Sequence, residues 1–494
     1  MRARRRLVSP APLWPVADPP PEDRARGWVI TAVLTCVAAV LRFVRLEQPT
    51  DRGTPVFDEK YYAAQAWEML TNGMGIDDNP AFPVIVHPPV GKLLIAVGEA
   101  IFGYTPLGWR FSAAVAGTVL VLLVVRIVRR LSRSTLIGAI AGILLIADGV
   151  TFVSSRIGML DIFLALFVTA AFGCLVVDRD ELRVRLTEGV PHGVRWWRFG
   201  AGVLLGLACG TKWSGAYFAL AFLILSLGLE FAVRREVGIH GRRPGVLLRD
   251  AAAALFVLVV VPTALYVASY AGWFASETGI NRYAVGGDSG FFAFLPDALR
   301  SLWFNHARIL DFHVTLTNSA GYHHDWESKP WTWPMGLRPM LYYYPDPTQT
   351  TGCGASACVR AIMLVGTPTI WWLAVPVLGW ALWRSVVGRD WRHCALLVGY
   401  GAAWLPWFAT LDRQMYFFYA TAMAPFLIMM MALALGGILG RARDSTERRG
   451  LGLLIVCLYL GMVVANFAWL YPILTAMPIT PAVWQQQLWL PSWR

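Results

Sequence analysis

Residues 199–232 read FGAGVLLGLACGTKWSGAYFALAFLILSLGLEFA, an apolar run with one lysine, Lys212, near its middle. A bilayer core needs an apolar helix of about 20 residues, so this run is too long for one span and just long enough for two short ones. A charge at mid-membrane depth is costly, whereas a charge at a turn between spans is not. The run therefore predicts two transmembrane helices that meet at Lys212.

Comparable apolar runs recur along the whole chain. Of its 494 residues 56% are hydrophobic and only 15% are charged, and the mean hydropathy is +0.52. That composition is too apolar for an ordinary soluble protein. We predict an all-α polytopic membrane protein with about eleven transmembrane helices, at residues 28–46, 107–128, 134–152, 158–177, 199–212, 214–232, 251–272, 361–383, 394–411, 415–440 and 451–470.

The charged residues are unevenly distributed along the chain. There are 43 Lys and Arg against 31 Asp and Glu, a formal net charge of +12. The basic residues cluster in alternate short segments between apolar runs, which is the pattern of cytoplasmic loops. This distribution predicts a cytoplasmic N-terminus and an external C-terminus, and it argues against a nucleic-acid partner. The clusters are Arg2–Arg6, Arg126–Arg133, Arg179–Arg198, Arg234–Arg249, Arg384–Arg392 and Arg441–Arg449.

The topology divides the chain into five parts. Amphipathic stretches at 59–70 and 298–312, one in each large external loop, are expected to lie along the membrane surface. The parts are a disordered basic cytoplasmic tail (1–27), an N-terminal transmembrane module (28–272) with a first external loop (47–106), a large external loop (273–360), C-terminal transmembrane helices (361–470) and an interfacial external tail (471–494) rich in tryptophan.

An acidic pair, Asp58 and Glu59, directly follows the first apolar run, in the sequence PVFDEK. One interpretation is structural, because acidic side chains stabilise the start of a helix. The other is chemical, because a carboxylate can act as a base for an acceptor hydroxyl. The residues around the pair bear on this choice.

Further charged and histidine side chains stand at the external ends of several predicted spans. Each alone is explained by snorkelling to the interface. Together they place cations around the acidic pair, which predicts a site for a lipid-linked anionic donor beside a carboxylate base. A sugar on a polyprenyl phosphate has a good leaving group, the phosphate, so the reaction needs cations for that departing phosphate and no general acid. The donor-side candidates are His87, Lys92, Arg110, Arg156, Asp161, Lys212 and Arg413.

The second external loop is rich in aromatic residues, which serve as interfacial anchors or contact an acceptor. Among them we take His324, Trp331 and Trp333 as acceptor-side candidates. Cys353 and Cys358, in CGASAC, are candidates for a local disulfide because the external compartment permits one. His323 and His324 stand beside Asp325, but no third ligand at suitable spacing is evident, so we expect no metal site.

The motifs, in order, resemble those of the protein O-mannosyltransferases of the GT-C superfamily. They extend over essentially the whole chain: FDE (57–59), HPPVGK (87–92), RIGMLD (156–161), TKWSG (211–215), the loop 322–346 and DRQMYFFY (412–419). The segment 273–360 is too short for the MIR domain of eukaryotic members, which fits bacterial members.

The resemblance implies an eleven-span GT-C fold with its active site on the external side of the plasma membrane. It implies polyprenyl-phosphate-mannose as donor, Ser or Thr of secreted proteins as acceptor, and inverting transfer without a metal or other cofactor. In that family the Asp of the acidic pair acts at the acceptor hydroxyl, which here is Asp58, supported by Glu59. Emerging unfolded chains are natural acceptors, so association with the protein-export machinery is expected.

Two other functions remain open. A GT-C glycosyltransferase that modifies a cell-wall glycolipid or another lipid would share the same fold and donor. A lipid or solute transporter would place charges near the midplane of repeated halves. The charges here gather at one membrane face and no internal repeat is visible, which argues against the transporter.

Overall fold

The computed structural model describes residues 21–72, 86–189, 193–239, 244–286, 293–440 and 444–494. Across these residues the chain is predominantly helical, with a single two-stranded antiparallel sheet. The predicted all-α class is therefore confirmed.

The helices are numbered in chain order. They are α1 (Pro21–Phe43), α2 (Glu59–Thr71), α3 (Pro89–Phe102), α4 (Pro106–Ser132), α5 (Thr135–Ile146), α6 (Gly149–Ser154), α7 (Asp161–Glu188), α8 (Trp196–Thr211), α9 (Gly215–Glu236), α10 (Pro244–Leu255), α11 (Val261–Ser269), α12 (Ala271–Ala275), α13 (Asp297–Thr315), α14 (Pro368–Trp371), α15 (Ala374–Val386), α16 (Trp391–Trp404), α17 (Ala424–Leu439), α18 (Thr446–Thr475) and α19 (Pro481–Gln487). A π-helical turn, Phe256–Val260, joins α10 to α11, and 3-10 turns occupy Pro330–Thr332, Pro347–Gln349, Leu405–Thr410, Phe417–Ala422 and Pro491–Trp493. The strands are β1 (Met340–Tyr343) and β2 (Ile362–Leu364).

Six helices of the described chain are long and apolar enough to cross a membrane. They are Asp23–Phe43, Pro106–Ser132, Asp161–Glu188, Gly215–Glu236, Asp250–Ser269 and Thr446–Thr475, and shorter apolar helices lie at Thr135–Ile146 and Ala424–Leu439. The protein is thus a multi-pass membrane protein. The count of eleven spans and their direction remain predictions.

The predicted division of residues 199–232 at Lys212 is confirmed. Helix α8 ends at Thr211 and α9 begins at Gly215. Gly215 packs so closely that a Cβ there would lie 2.6 Å from the main chain of Ala208. The reversal between the two helices therefore depends on a residue without a side chain.

The predicted start of the span 361–383 is wrong. Residues 362–364 form β2, which pairs with β1, and the helical part begins at Pro368. A short apolar run satisfies a buried strand as well as a helix, so its periodicity does not separate the two.

Two further helix boundaries differ from the prediction. Helix α1 begins at Pro21, inside the predicted tail 1–27, of which residues 1–20 lie outside the described residues. The predicted span 134–152 is interrupted at Asp148, because its carboxylate accepts a hydrogen bond from the main-chain nitrogen of Thr151 and begins a new helix, α6.

The large loop at residues 273–360 packs against the C-terminal segment at residues 471–494. Cys353 and Cys358 form the expected disulfide. The next residue, Val359, exchanges main-chain hydrogen bonds with Ile479 at 2.8 and 2.9 Å. Trp484 and Trp493 are buried, whereas Trp489 is exposed as an interfacial residue must be. Much of the tail is therefore packed against protein.

Candidate active site

Asp58 stands immediately before the first residue of α2. Its side chain makes no capping hydrogen bond with the helix, so the capping interpretation is wrong for this residue. The carboxylate is half-buried, and burial raises the pKa of Asp58 to about 6, against the opposing effects of Lys212 and Lys60. Asp58 is thus a carboxylate that is ionised at neutral pH and is not used by its own helix.

Glu59 has a structural role. It is fully buried, and its two carboxylate oxygens accept hydrogen bonds from Arg110 Nε and Nη2 at 2.7 and 2.8 Å. The same oxygens accept from the main-chain nitrogens of Gly158 and Val56 at 2.7 and 3.0 Å. With these four bonds Glu59 joins three segments of the chain. Its bonds suit the supporting role that was predicted for it beside Asp58, and the catalytic part of both residues stays a prediction.

Two of the predicted donor-binding arginines, Arg110 and Arg156, bond to other parts of the chain in this structure, and their role in donor binding stays a prediction. Arg110 completes its bonding with the carbonyl oxygens of Leu46 and Pro49, at 3.1 and 2.9 Å. Arg156 donates to four main-chain carbonyls at and just after the end of α1, within residues 41–45, at 2.8–3.3 Å. Both arginines satisfy backbone acceptors that a helix end and a loop leave open.

Asp161 and Lys212 form a buried ion pair. Asp161 is the first residue of α7 and Lys212 directly follows α8, so the two helix ends converge at this point. The ammonium nitrogen of Lys212 lies 2.8 Å from each carboxylate oxygen of Asp161. The Asp58 carboxylate lies within the electrostatic reach of both groups.

A cavity of about 400 Å³ opens beside this pair. Part of its lining is formed by charged and histidine side chains, namely His87, Asp161, Lys212, His313, Asp412 and Arg413. Its remaining walls are mainly apolar and include Tyr217, Phe218, Leu310, Val314 and Trp407. The cavity therefore joins apolar walls to a charged part whose cations are Lys212 and Arg413, and we call that part its cationic end. An amphipathic anion requires such a combination.

His313 connects the segments that form the cationic end. Arg413 Nη2 donates to His313 Nδ1 at 2.9 Å, and the His313 ring also bonds the main chain of Val86. Burial, followed by the charges of Arg413 and Lys212, lowers the pKa of His313 to about 4. The ring is therefore neutral at physiological pH and directs Arg413 toward the cavity.

Two further donor-side candidates, His87 and Lys92, lie at different depths. His87 lines the cavity, and burial together with the surrounding cations holds its pKa well below the usual value. Lys92 is buried in the first turn of α3 and is absent from the lining formed by the described residues. It acts on the site by lowering the pKa of His87.

The three acceptor-side candidates have different positions. His324 is exposed and meets the ring of Tyr416 edge-on, with centroids 5.4 Å apart. Trp331 is 57% exposed. Trp333 is fully buried and packs on Trp407, so it presents no surface to an acceptor in this structure. It supports the wall of the cavity instead.

Sequence reasoning missed His313, Trp213 and Trp407, all of which line the cavity. A signal was present for the first, because His306 and His313 are seven residues apart on α13 and therefore share one helix face. Both rings contact Trp213, at centroid distances of 5.7 and 5.9 Å. In the described part of the chain no three His, Cys, Asp or Glu side chains are grouped as metal ligands would be.

The fold is that of a GT-C membrane glycosyltransferase. It superposes on a protein O-mannosyltransferase complex of Saccharomyces cerevisiae, solved with its sugar donor, with a TM-score of 0.73 over 97% of this chain and 95% of that chain, at 16% sequence identity.

The sequence comparisons give the family. Residues 32–275 match the dolichyl-phosphate-mannose-protein mannosyltransferase family, and residues 298–493 match the C-terminal four-transmembrane region of protein O-mannosyltransferases. Polyprenol-phosphate-mannose–protein mannosyltransferases of Mycolicibacterium smegmatis and Mycobacterium tuberculosis are 58% and 57% identical to this chain, over 99% of it and 97% and 96% of their own lengths. The chain belongs to the protein mannosyltransferase family.

Proposed function

We propose that this protein transfers mannose from polyprenyl-phosphate-mannose to Ser or Thr hydroxyls of secreted or cell-envelope proteins. The relatives that are more than half identical to it carry that donor and reaction in their names. The observation that carries the proposal is the position of Asp58, an uncapped carboxylate beside the cationic end of an apolar cavity.

The cavity accounts for donor binding. The ammonium of Lys212 and the guanidinium of Arg413 face one end of it, where the donor's phosphate would receive charge-assisted hydrogen bonds. The apolar walls contributed by α9, α13 and α16 would hold the first isoprene units. As the sugar–phosphate bond breaks, these cations stabilise the charge that develops on the departing oxygen.

Asp58 supplies the base. The acceptor oxygen attacks the anomeric carbon, the bond from that carbon to the phosphate oxygen breaks, and the hydroxyl proton passes to the Asp58 carboxylate. The products are the mannosylated protein and polyprenyl phosphate, and direct displacement inverts the anomeric centre. A pKa of about 6 keeps Asp58 ionised at neutral pH while leaving it basic enough to accept a proton.

The site is assigned to the external side of the plasma membrane. At the other end of the same helix bundle Arg195 binds Asp178 and Glu230, and Arg234 connects Glu230 to Asp250. These residues join α7, α8, α9 and α10 within the arginine clusters that the positive-inside rule places in the cytoplasm. This distribution of charge supports the proposal that the buried ion pair of the site faces outward, where exported chains would emerge from the export machinery.

The test is transfer of labelled mannose from polyprenyl-phosphate-mannose to a Ser/Thr/Pro-rich peptide by membranes that contain the enzyme. Asp58→Asn should abolish transfer, because Asn keeps the shape of the side chain and loses the base. Asp51→Asn, at an exposed position of the same loop, is the matched control and should be active. Label found only in lipid would overturn the protein acceptor in favour of glycolipid synthesis, and an active Asp58→Asn would remove Asp58 as the base.

Metal-independent transfer is part of the proposal. The carboxylate of Asp161 is already neutralised by Lys212, which supplies the positive charge that a divalent ion would otherwise bring. Chelators should leave the rate of transfer unchanged. A loss of activity that a divalent ion restores would contradict this.

A further inference from the structure

We propose that Phe57 is a positioning residue whose left-handed main chain keeps the Asp58 carboxylate off the amides of α2. This rests on the proposed function, in which Asp58 is the base. The inference concerns how the protein keeps that carboxylate available, because a residue at the start of a helix normally uses its side chain to cap the helix.

Asp58 differs from the other aspartates that precede helices in this chain. Asp148 and Asp390 have extended main chains, with φ and ψ of −84° and 116° and of −88° and 103°, and both carboxylates accept a hydrogen bond from their helices. Asp58 has helical angles, φ −74° and ψ −7°, and makes no such bond. A helical conformation at this position turns the side chain away from the first-turn amides.

The residue before Asp58 creates this exception. Phe57 has φ 52°, in the left-handed region that bulky side chains rarely adopt. The chain therefore enters α2 through a reversal, and Asp58 is already part of the helical path when the helix begins. Backbone strain of this kind persists only where the surroundings enforce it, and it concentrates at functional sites.

The surroundings of Phe57 do enforce it. Its ring packs on Tyr342 of β1 and on Phe418, with centroid distances of 4.7 and 6.3 Å. Val56 precedes the turn and Glu59 follows it, and Glu59 Oε2 accepts a hydrogen bond from the main-chain nitrogen of Val56 at 3.0 Å. The turn is thus held from the external loop by aromatic packing and from α2 by the buried Glu59.

Loss of the turn has a definite chemical consequence. With an extended main chain, Asp58 would accept hydrogen bonds from first-turn amides, as Asp148 and Asp390 do from their helices. Such bonds favour the ionised carboxylate and lower its pKa, so it would become a weaker base. The charged groups that act on Asp58, namely Lys60, Lys212 and Asp161, would remain in place.

Substitutions of Phe57 by Gly, Ala and Val separate this role from ordinary packing. All three lose the ring, but Gly adopts a left-handed conformation freely whereas Val strongly resists it. If the turn matters, kcat falls in the order Gly, Ala, Val, with roughly 5- to 30-fold between Phe57→Gly and Phe57→Val. If only apolar volume matters, the order is reversed, and that result overturns the proposal.

The pH profile of kcat/KM gives a second, independent readout. In Phe57→Val the midpoint of the acidic limb should shift to a lower pH than in the wild type. Donor KM should stay within about twofold of the wild-type value, since the cavity cations are untouched. Tyr342→Leu, which removes the packing partner and leaves the turn sequence intact, should shift the limb in the same direction. Phe172→Leu, in the remote core of α7, is the control for a general loss of packing and should leave the limb unmoved.

The outcomes separate the two proposals. An inactive Asp58→Asn together with an unshifted acidic limb in both Phe57→Val and Tyr342→Leu would overturn the role of Phe57 and leave the base assignment intact. An active Asp58→Asn would overturn the base assignment itself. A shifted limb in Tyr342→Leu supports the positioning role even if the Phe57 variants do not fold.

Discussion

The ammonium nitrogen of Lys212 lies 2.8 Å from each carboxylate oxygen of Asp161, at the point where the end of α8 meets the start of α7. Both side chains are almost fully buried, yet both line the cavity. The pair neutralises a buried acid, and in the proposed function it has a second purpose, in which Lys212 binds the anionic donor. These purposes can be separated by mutation.

Lys212→Met should weaken donor use, because it removes a charge-assisted hydrogen bond worth about 1.5–3 kcal/mol, or roughly tenfold to a hundredfold in donor KM. It should also destabilise the protein, since it leaves Asp161 buried without its partner. The double variant Lys212→Met/Asp161→Leu should recover thermal stability without recovering donor KM. Recovery of both would show that Lys212 is structural only.

The activity of the enzyme should fall in acid. Because the pKa of Asp58 is raised to about 6, the fraction of ionised base falls tenfold per pH unit below that value. The donor is a phosphodiester and does not titrate in this range. We expect log kcat/KM to rise with a slope of one up to about pH 6 and then level off. A flat profile down to about pH 4.5 would contradict the assignment.

Asp58→Asn should be more stable than the wild type at neutral pH. A carboxyl group whose pKa is raised from about 3.9 in the unfolded chain to about 6 costs stability once it ionises, by at most about 3 kcal/mol. The advantage of the variant should therefore be complete above pH 6 and vanish below about pH 4. Unfolding temperatures in detergent at both pH values would measure it, and equal stability throughout would argue against a destabilised base.

Removal of either partner of the Glu59–Arg110 pair should destabilise the protein. Glu59→Gln leaves Arg110 buried without a counter-charge, and losses of about 3–5 kcal/mol are typical in that situation. Glu47→Gln, at an exposed position of the same loop, is the control. An unfolding temperature of Glu59→Gln within about 1 °C of wild type would contradict the structural role.

His313 should make the protein sensitive to acid. Its pKa is lowered to about 4, whereas an unfolded histidine titrates near 6.5, so in this window the unfolded state binds the proton and the native state does not. Stability is therefore lost as the pH falls from 6.5 toward 4, by about 2 kcal/mol at pH 5. His313→Gln should lose less between about pH 7.5 and pH 5 than the wild type does. An equal loss in both would show that His313 does not contribute.

The sequence indicated the long apolar helices, the break at Lys212 and the disulfide, because each depends on local composition or spacing. It also indicated the acidic pair and most of the polar residues of the cavity. It could not distinguish Asp58 from Glu59, since their roles depend on Arg110, which lies 51 residues farther along the chain. The sequence also made Arg156 look like a donor-binding residue, because only folding brings the main-chain carbonyls at the end of α1 to its guanidinium group.

Burial explains the remaining differences. Trp331 and Trp333 are two residues apart in one aromatic motif, yet one is 57% exposed and the other 0%. The run beginning at residue 361 is apolar enough for a span, but it is used as a strand because β1 lies beside it. Local pattern predicts what a segment can form, whereas its neighbours decide what it forms.

The arginine and acidic residues that join α7, α8, α9 and α10 have a mechanical consequence. Arg195, Asp178, Glu230, Arg234 and Asp250 fix the four helices to one another at the end away from the cavity. Helices that share one fixed end change their separation most at the other. If the proposed lipid donor enters and leaves this cavity, the bundle would therefore spread at the cavity end, and the ion-paired end would stay closed.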